Sequence, residues 1–409
     1  MNAMVNPGPI VEPIEALSSR ELSRYARHLS LPGIGVEGQR RLRAASALVI
    51  GAGGLGAPIL HYLAAAGIGR ITIIDDDVVE SSNLQRQVLH RDADIGRAKV
   101  DSARDGLHRL DPDLLVDAVQ ERLSPENALT LFAAHDIVLD GADNFATRYL
   151  SNDAAELTGT PLIWGTIFQF SGQVSTFVPG HGPMLRDLFP DIPEADSVPS
   201  CAEGGVFGVL CGTVGSAMAT EAIKLICGIG SPLIGRLLRY DALATDYSTL
   251  RFAPDPDRTP VIDLTEVAVA CAARQPGTDG STSRTSVGTR GDGAEGGGEN
   301  PSGEIRLEEF QSSQAPVLLV DVREAWEREI SSIPGSVHLP LAEITAEGWP
   351  AVAELVDTTG TADEVKDIVF HCKSGARSAQ AVRSLEQGAP DLVRLRSLVG
   401  GIDAWASQE

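Results

Sequence analysis

Residues 47–77 constrain this chain more than any other stretch. An apolar run, Ala47-Leu48-Val49-Ile50, leads into Gly51-Ala52-Gly53-Gly54-Leu55-Gly56 and then an apolar helical pattern from Ala57 to Ala66. A second strand-like run, Ile71-Thr72-Ile73-Ile74, ends in Asp75-Asp76-Asp77. Strand, glycine-rich turn, helix, strand and acid follow one another in the order of a nucleotide-binding unit. Gly51 permits the tight turn, Gly53 lets a phosphate approach the backbone, and Gly56 lets the helix pack on the strand. The helix N-terminus offers unsatisfied N–H groups to the phosphate, and the acid can bond a ribose hydroxyl. Dinucleotide-dependent redox enzymes and ATP users share this unit, so the choice between them falls to the residues after Asp77.

Those residues read Ser82-Asn83-Leu84-Gln85-Arg86-Gln87, then a second helical pattern carrying Lys99. An apolar strand follows, ending Asp140-Gly141-Ala142-Asp143-Asn144. In this order the set resembles the ubiquitin-activating adenylyltransferase superfamily, in the style of its bacterial ThiF/MoeB-like members. The resemblance implies a Rossmann-like α/β adenylation domain that uses ATP and Mg²⁺. It implies that Gly51, Gly53, Gly54, Gly56 and Asp75 bind the nucleotide. It places Ser82, Asn83, Leu84, Gln85, Arg86 and Lys99 around the phosphates, Asp143 on Mg²⁺, and Asn144 beside it. Fixed cations suit this chemistry, because attack on the α-phosphate builds negative charge. A nicotinamide- or flavin-dependent oxidoreductase has no use for the Asn83, Arg86 and Lys99 set and stays as the alternative enzyme, with a non-catalytic carrier-binding scaffold as the alternative outside catalysis. Arg27 matches an arginine that in this family reaches into the neighbouring subunit's active site, so a homodimer is expected.

The chain has 409 residues, enough for two or three domains with full cores. Residues 1–17, with three prolines among the first 16, are expected to form a flexible arm, and the capping-box pattern Ser18-Ser19-Arg20-Glu21 opens a helix through about Leu29. The adenylation domain then spans 18–273. Residues 274–303 hold nine Gly and eight Ser or Thr among thirty and cannot bury enough apolar surface to fold. They predict a linker with an end-to-end distance of roughly 30 Å. The net charge of −23 is spread, with 21 basic and 34 acidic side chains in residues 1–273 and 9 and 18 in residues 304–409. That argues against nucleic acid or an anionic membrane and suits a partner with a basic face. The N-terminus lacks a basic region followed by an apolar core, and the stretch from Val206 to Ile229 reads as a buried helix, so a cytoplasmic location is expected.

Five cysteines stand at 201, 211, 227, 271 and 372, with no C-x-x-C pair among them. Many ThiF/MoeB-like proteins carry two such pairs on structural zinc. Here the corresponding positions read Met184-Leu185-Arg186-Asp187 and Arg258 to Val261, so no structural zinc is expected. Cys201, in the loop segment Pro199-Ser200-Cys201-Ala202-Glu203-Gly204, matches a position often given a thioester or acyl-disulfide role, and chemistry there competes with an inert loop cysteine. Cys211 and Cys227 sit in an apolar helical pattern and read as core.

Residues 304–409 alternate strand and helix again. Ile368-Val369-Phe370-His371 leads into Cys372-Lys373-Ser374-Gly375-Ala376-Arg377-Ser378 and a helix. Four residues separate Cys372 from Arg377, one fewer than in tyrosine-phosphatase loops, and the smaller cradle suits sulfur better than phosphate. The segment resembles a small α/β rhodanese domain, with Ser331-Ser332 and Arg328 as its two departures. The resemblance implies that Cys372 and Arg377 carry sulfur transfer, with a persulfide on Cys372. Both domains together are similar to MoeZ-type fusions of adenylyltransferase and sulfurtransferase. The implied partners are a small ubiquitin-like sulfur-carrier protein ending in Gly-Gly and a sulfur donor such as a cysteine desulfurase or thiosulfate.

Overall fold

A computed structural model describes residues 6–192, 205–272, 303–313, 316–358, 367–386, 388–390 and 393–406. The chain divides into two compact units near residue 281.

The first unit is built on an eight-stranded sheet. Its strands are β1 (Ser46–Ile50), β2 (Arg70–Ile74), β3 (Leu115–Val119), β4 (Ile137–Asp140), β5 (Leu162–Phe168), β6 (Ser171–Phe177), β7 (Arg236–Asp241) and β8 (Asp246–Arg251). The order is β3-β2-β1-β4-β5-β6-β7-β8, parallel from β3 to β5 and antiparallel beyond. β1 is the hinge of the topology: Ala47 pairs with Ile71 of β2 on one side and Ile137 of β4 on the other. The connections run to opposite edges from there, which opens a crevice at the C-terminal ends of β1 and β4. Successive β1 side chains alternate between two apolar layers. Ala47 and Val49 join the layer of helices Gly56–Ala66 and Gly208–Cys227, while Leu48 and Ile50 join that of Pro125–Ala133 and Phe145–Thr158.

Helix Gly208–Cys227 is long and apolar enough to cross a membrane, yet more than half of it is buried in this core. Its Glu221 explains the charge inside the apolar run. The carboxylate accepts from Thr176 Oγ1 (3.0 Å), Leu233 N–H (2.6 Å) and Lys224 Nζ (2.5 Å).

The N-terminal segment differs from the flexible arm that its prolines suggested. Ile10 N–H donates to Leu225 O (3.2 Å), Arg41 donates to Val11 O (2.5 Å), Arg40 donates to Ile14 O, and Val11 is buried. Three scattered prolines, Pro7, Pro9 and Pro13, disfavour a helix here, and the backbone groups of an extended strap suit pairing with a neighbouring surface. The capping box forms as expected: Ser18 Oγ accepts from Glu21 N–H (3.2 Å) and Glu21 Oε2 from Ser18 N–H (2.8 Å). The helix it opens ends at Arg24 and restarts at Ala26. Tyr25 stands at the break, its buried ring so close to Gly67 that an added methyl group there would overlap it.

The second unit carries β9 (Glu304–Ile305), β10 (Val317–Asp321), β11 (Val337–His338), β12 (Asp367–His371) and β13 (Arg394–Leu398). They form one parallel sheet, β11-β10-β12-β13-β9, with apolar layers on both faces.

Candidate active sites

The crevice of the first unit is lined by Gly51, Gly53, Gly54, Asp75, Asp77, Arg86, Gln87, Lys99, Gly141, Asp143 and Arg148, with Ile167 and Val206 as apolar wall. Gly51 turns the chain with φ of +89° and donates its N–H to Ile74 O at 2.9 Å. Gly56 starts the helix so close beneath the turn that a Cβ there would lie 2.0 Å from Gly51 O. Asp75 ties the turn to β2: Oδ2 accepts from Ala52 N–H (2.7 Å) and Oδ1 from Asp77 N–H (2.9 Å). Burial pushes its carboxyl above the ordinary carboxylate range, against the pull of the Lys99 charge and these two donors. Lys99 is buried and pairs with the exposed Asp77 at 2.7 Å, which holds its ammonium at the cleft without a ligand.

On the opposite wall Gly141 N–H donates to Ile50 O (3.0 Å), and Asp143 stands exposed at the rim. Below it, Asp140 is fully buried and accepts from Ala142 N–H at 2.9 Å; burial pushes its carboxyl up. The Arg148 guanidinium donates to Ala142 O (3.3 and 3.2 Å) and lies 5.3 Å from the Phe145 ring, so it braces the Asp143 loop from behind.

The second unit holds Cys372 directly after β12, ahead of helix Ala376–Leu385. Its Sγ accepts from Gly375 N–H at 3.2 Å and lies 3.7 Å from the Ser378 hydroxyl. The loop is closed from the other side by Ile402 N–H donating to Cys372 O (2.9 Å) and Asp403 N–H to Lys373 O (3.1 Å). Gly401 makes that approach possible, since a Cβ there would sit 2.4 Å from Cys372 O. Cys372 is 1% exposed, whereas Lys373 and Ser374 face solvent. Arg377 makes a bidentate pair with Glu327, 2.7 Å to each oxygen. Burial works to raise the Glu327 carboxyl, but the Arg377 hydrogen bonds and other donors outweigh it and hold the group low.

A model described as the ThiF family matches residues 25–261, and one described as a rhodanese-like domain matches residues 306–408. The chain belongs to the ThiF family. It is 45% identical to the probable adenylyltransferase/sulfurtransferase MoeZ of Mycobacterium tuberculosis, across 98% of this chain and 96% of that protein. It is 38% identical to the adenylyltransferase and sulfurtransferase MOCS3 of Bos taurus, across 99% and 89%. A sulfur carrier protein adenylyltransferase of Thermus thermophilus is 51% identical over 60% of this chain and 92% of its own. Escherichia coli MccB solved with ATP superposes with a TM-score of 0.52 at 20% identity, over 58% of this chain and 74% of that one, which shows a shared fold. The protein is therefore an adenylyltransferase joined to a sulfurtransferase, and its adenylation uses ATP.

Within this ThiF-type cleft the residues expected from sequence separate into two groups. Gly51, Gly53, Gly54, Asp75, Arg86, Lys99 and Asp143 line it together. Gly56, Ser82, Asn83, Leu84, Gln85 and Asn144 are not among the lining residues. Asn83 is buried with Oδ1 accepting from Glu80 N–H (3.1 Å), and Asn144 caps helix Phe145–Thr158 through Thr147 N–H (2.9 Å). Gln85 is exposed and packs its carbonyl against Gly208, while the Ser82 carbonyl accepts from Arg86 (3.1 Å). Arg27 is exposed on helix Ala26–Leu29 and takes no part in its own chain's cleft lining. Cys201 lies outside the described residues. Gln87 and Arg148 were not singled out from sequence. Gln87 directly follows the Asn83–Arg86 motif, which was its one available signal.

Proposed function

We propose that the substrate is a small ubiquitin-like sulfur-carrier protein with a C-terminal Gly-Gly. Its carboxylate attacks the α-phosphate of ATP in the cleft, pyrophosphate leaves, and an acyl-adenylate remains. Arg86 and Lys99 neutralise the charge that builds on the phosphates, and Asp75 takes the ribose. Asp143 is an exposed oxygen donor facing the glycine turn across the cleft, which suits a Mg²⁺ ion shared with phosphates. The ion would supply electrostatic stabilisation there; the chain's own part is to hold the carboxylate and the cations in place. Arg27 completes the cleft of the other copy in a homodimer.

In the second reaction the Cys372 thiolate attacks the sulfane sulfur of a cysteine desulfurase persulfide or of thiosulfate, and the desulfurase cysteine thiolate or sulfite leaves. The terminal sulfur of the Cys372 persulfide anion attacks the acyl carbon, the bond to phosphate oxygen breaks, and AMP leaves. The resulting acyl disulfide is cleaved by two equivalents of thiol, which become a disulfide, releasing carrier thiocarboxylate and free Cys372. Activation splits one hard displacement into two easier ones. The product would feed molybdopterin, thiamine, cysteine or tRNA thiolation. The observation that carries this reading is one chain holding both a ThiF-type cleft with buried Lys99 and a cysteine seated in a loop of N–H donors. It is tested by incubating the protein with ATP, Mg²⁺, a sulfur source and each candidate carrier, then weighing the carriers. A gain equal to oxygen replaced by sulfur, dependent on ATP, is expected; no carrier gaining that mass would defeat the reading.

A further inference from the structure

The peptide units on either side of Ala52 are both anchored. Ala52 N–H donates to Asp75 Oδ2 at 2.7 Å, and Ala52 O lies 2.9 Å from Nε2 of His90. His90 is buried and does not line the cleft. Its Nδ1 lies 2.9 Å from the Ser102 hydroxyl, itself buried on helix Lys99–Leu110, one turn beyond Lys99. A carbonyl oxygen can only accept, so Nε2 carries the hydrogen. Burial pushes the His90 pKa down, against the pull of the Asp94 carboxylate, and the Ser102 hydroxyl, which also hydrogen-bonds that carboxylate, holds the ring from its Nδ1 side.

We propose that His90 is a positioning residue for adenylation: by holding the Ala52 carbonyl it aims the Gly53 N–H at the nucleotide phosphates. The Ala52 carbonyl and the Gly53 N–H belong to one planar trans peptide and point in opposite directions. Drawing the carbonyl back toward His90, behind the turn, turns the N–H the other way. Gly53 lines the cleft, and no described residue accepts its N–H. Without the His90 bond that peptide plane is free to swing, because glycine on one side offers little resistance. A donor already in place costs no reorganisation when charge develops on the phosphate. The inference rests on reading the crevice as the ATP site.

The test compares ATP with adenosine, measured as binding to the full-length protein. His90→Phe keeps the bulk of the ring and removes the donor. It should weaken ATP roughly ten-fold, the scale of one hydrogen bond to a charged group, while adenosine affinity stays put. His90→Gln places an amide N–H near the position of Nε2 and should recover most of the loss. Equal weakening of ATP and adenosine would mean a merely structural role and overturn the proposal, as would a His90→Gln variant no better than His90→Phe. If His90→Phe does not fold, His90→Asn serves instead: its shorter amide reaches toward Ser102 but not the Ala52 carbonyl, so it should lower the ATP-to-adenosine affinity ratio by a similar factor, and an unchanged ratio overturns the proposal. Wild-type protein that fails to bind ATP would count against the nucleotide site itself, a different failure.

Discussion

The glycine turn after β1 and the cysteine loop after β12 share a plan and differ in what they place at its centre. Each follows a buried parallel strand, presents backbone N–H groups, and ends at a helix start. In the first unit nothing on the turn is nucleophilic. The turn is held from behind by Asp75 and His90, and the charge facing the cleft comes from Lys99, Arg86 and Asp143 on other elements. In the second unit the proposed reactive atom, Cys372 Sγ, belongs to the loop itself and accepts from Gly375 N–H at 3.2 Å. A site that stabilises charge on a ligand brings its cations from several elements; a site that carries an atom covalently keeps that atom on its own loop. This difference says that the two chemistries should be separable by single substitutions.

The largest effect expected is a reciprocal loss. Cys372→Ala should abolish thiocarboxylate formation from a persulfide donor and keep carrier-dependent ATP–pyrophosphate exchange near its original rate, since residues 304–409 contain no second cysteine. Asp143→Ala should abolish exchange and spare thiosulfate turnover. Carrier mass under limiting persulfide, with free sulfide excluded, is the readout. A Cys372→Ala enzyme that still makes thiocarboxylate would break the comparison and move the chemistry to Cys201.

Lys99 tests the charge-stabilising side. Its ammonium is buried against Asp77 at 2.7 Å, so it is already desolvated and fixed before ATP arrives. Lys99→Met keeps the volume and leaves Asp77, which is exposed and can be solvated, without its partner. Exchange should fall roughly hundred-fold, the scale of losing one preorganised charge-stabilising group. An effect confined to KM for ATP, with the maximal rate kept, would show that Lys99 holds the ground state and the transition state equally and adds nothing specific to the chemical step.

The strands beneath the loops differ too. β1 ends in apolar Ile50, whereas β12 ends in fully buried His371, 3.8 Å from Asp321. Burial pushes His371 down to about 4 from its ordinary 6.5, so the folded ring is neutral at pH 7 and this approach is no ion pair there. Burial works to raise the Asp321 carboxyl, but its Arg323 hydrogen bonds and neighbouring charges hold it low. The folded His371 pKa lies below the unfolded one. Its contribution is therefore fully present above about pH 6.5 and lost as pH falls toward 4, by at most about 3 kcal/mol. Calorimetry of the full chain across that window should show the rhodanese-like unit weakening with uptake of one proton on unfolding. His371→Leu should flatten that slope, and an unchanged slope would assign the proton elsewhere.

How much of this was legible in the sequence follows from how local each signal is. The turn from Ile50 to Gly56, the acid after β2 and the loop from Cys372 to Ser378 are contiguous, so their chemistry can be read along the chain itself. Asn83 and Asn144 carry family-motif identities, but their side chains are spent on the Glu80 and Thr147 N–H groups, a local geometry that residue type does not reveal. His90 and Arg148 bear on the site from other elements, with no spacing rule to betray them, while Gln87 was marked only by following Arg86. The docking of residues 6–14 depends on carbonyls and N–H groups of distant helices, which composition cannot report.

The smallest effect is expected at the positions where many ThiF/MoeB-like proteins place zinc. Met184 is buried in the core there, and Asp187 Oδ1 accepts from Arg258 Nε (2.9 Å) and Asp255 N–H (3.0 Å). Arg258 also donates to both oxygens of Glu156, at 2.8 and 3.1 Å. One guanidinium thus joins the segment around residue 258 to helix Leu185–Leu188 and helix Phe145–Thr158, the kind of cross-link a metal would make. The carboxylates are mostly buried, so removing the arginine strands them. Arg258→Ala should cost about 2 kcal/mol, short of the several that a fully buried pair would cost, because the guanidinium keeps some contact with water. Adding Asp187→Ala should cost less than the sum of the two single changes, since both act through one bond. A chelator should leave the melting temperature unchanged. Stoichiometric zinc in chelator-washed protein, or full additivity of the two substitutions, would mean that the segments are fastened some other way and that the ion pair is incidental.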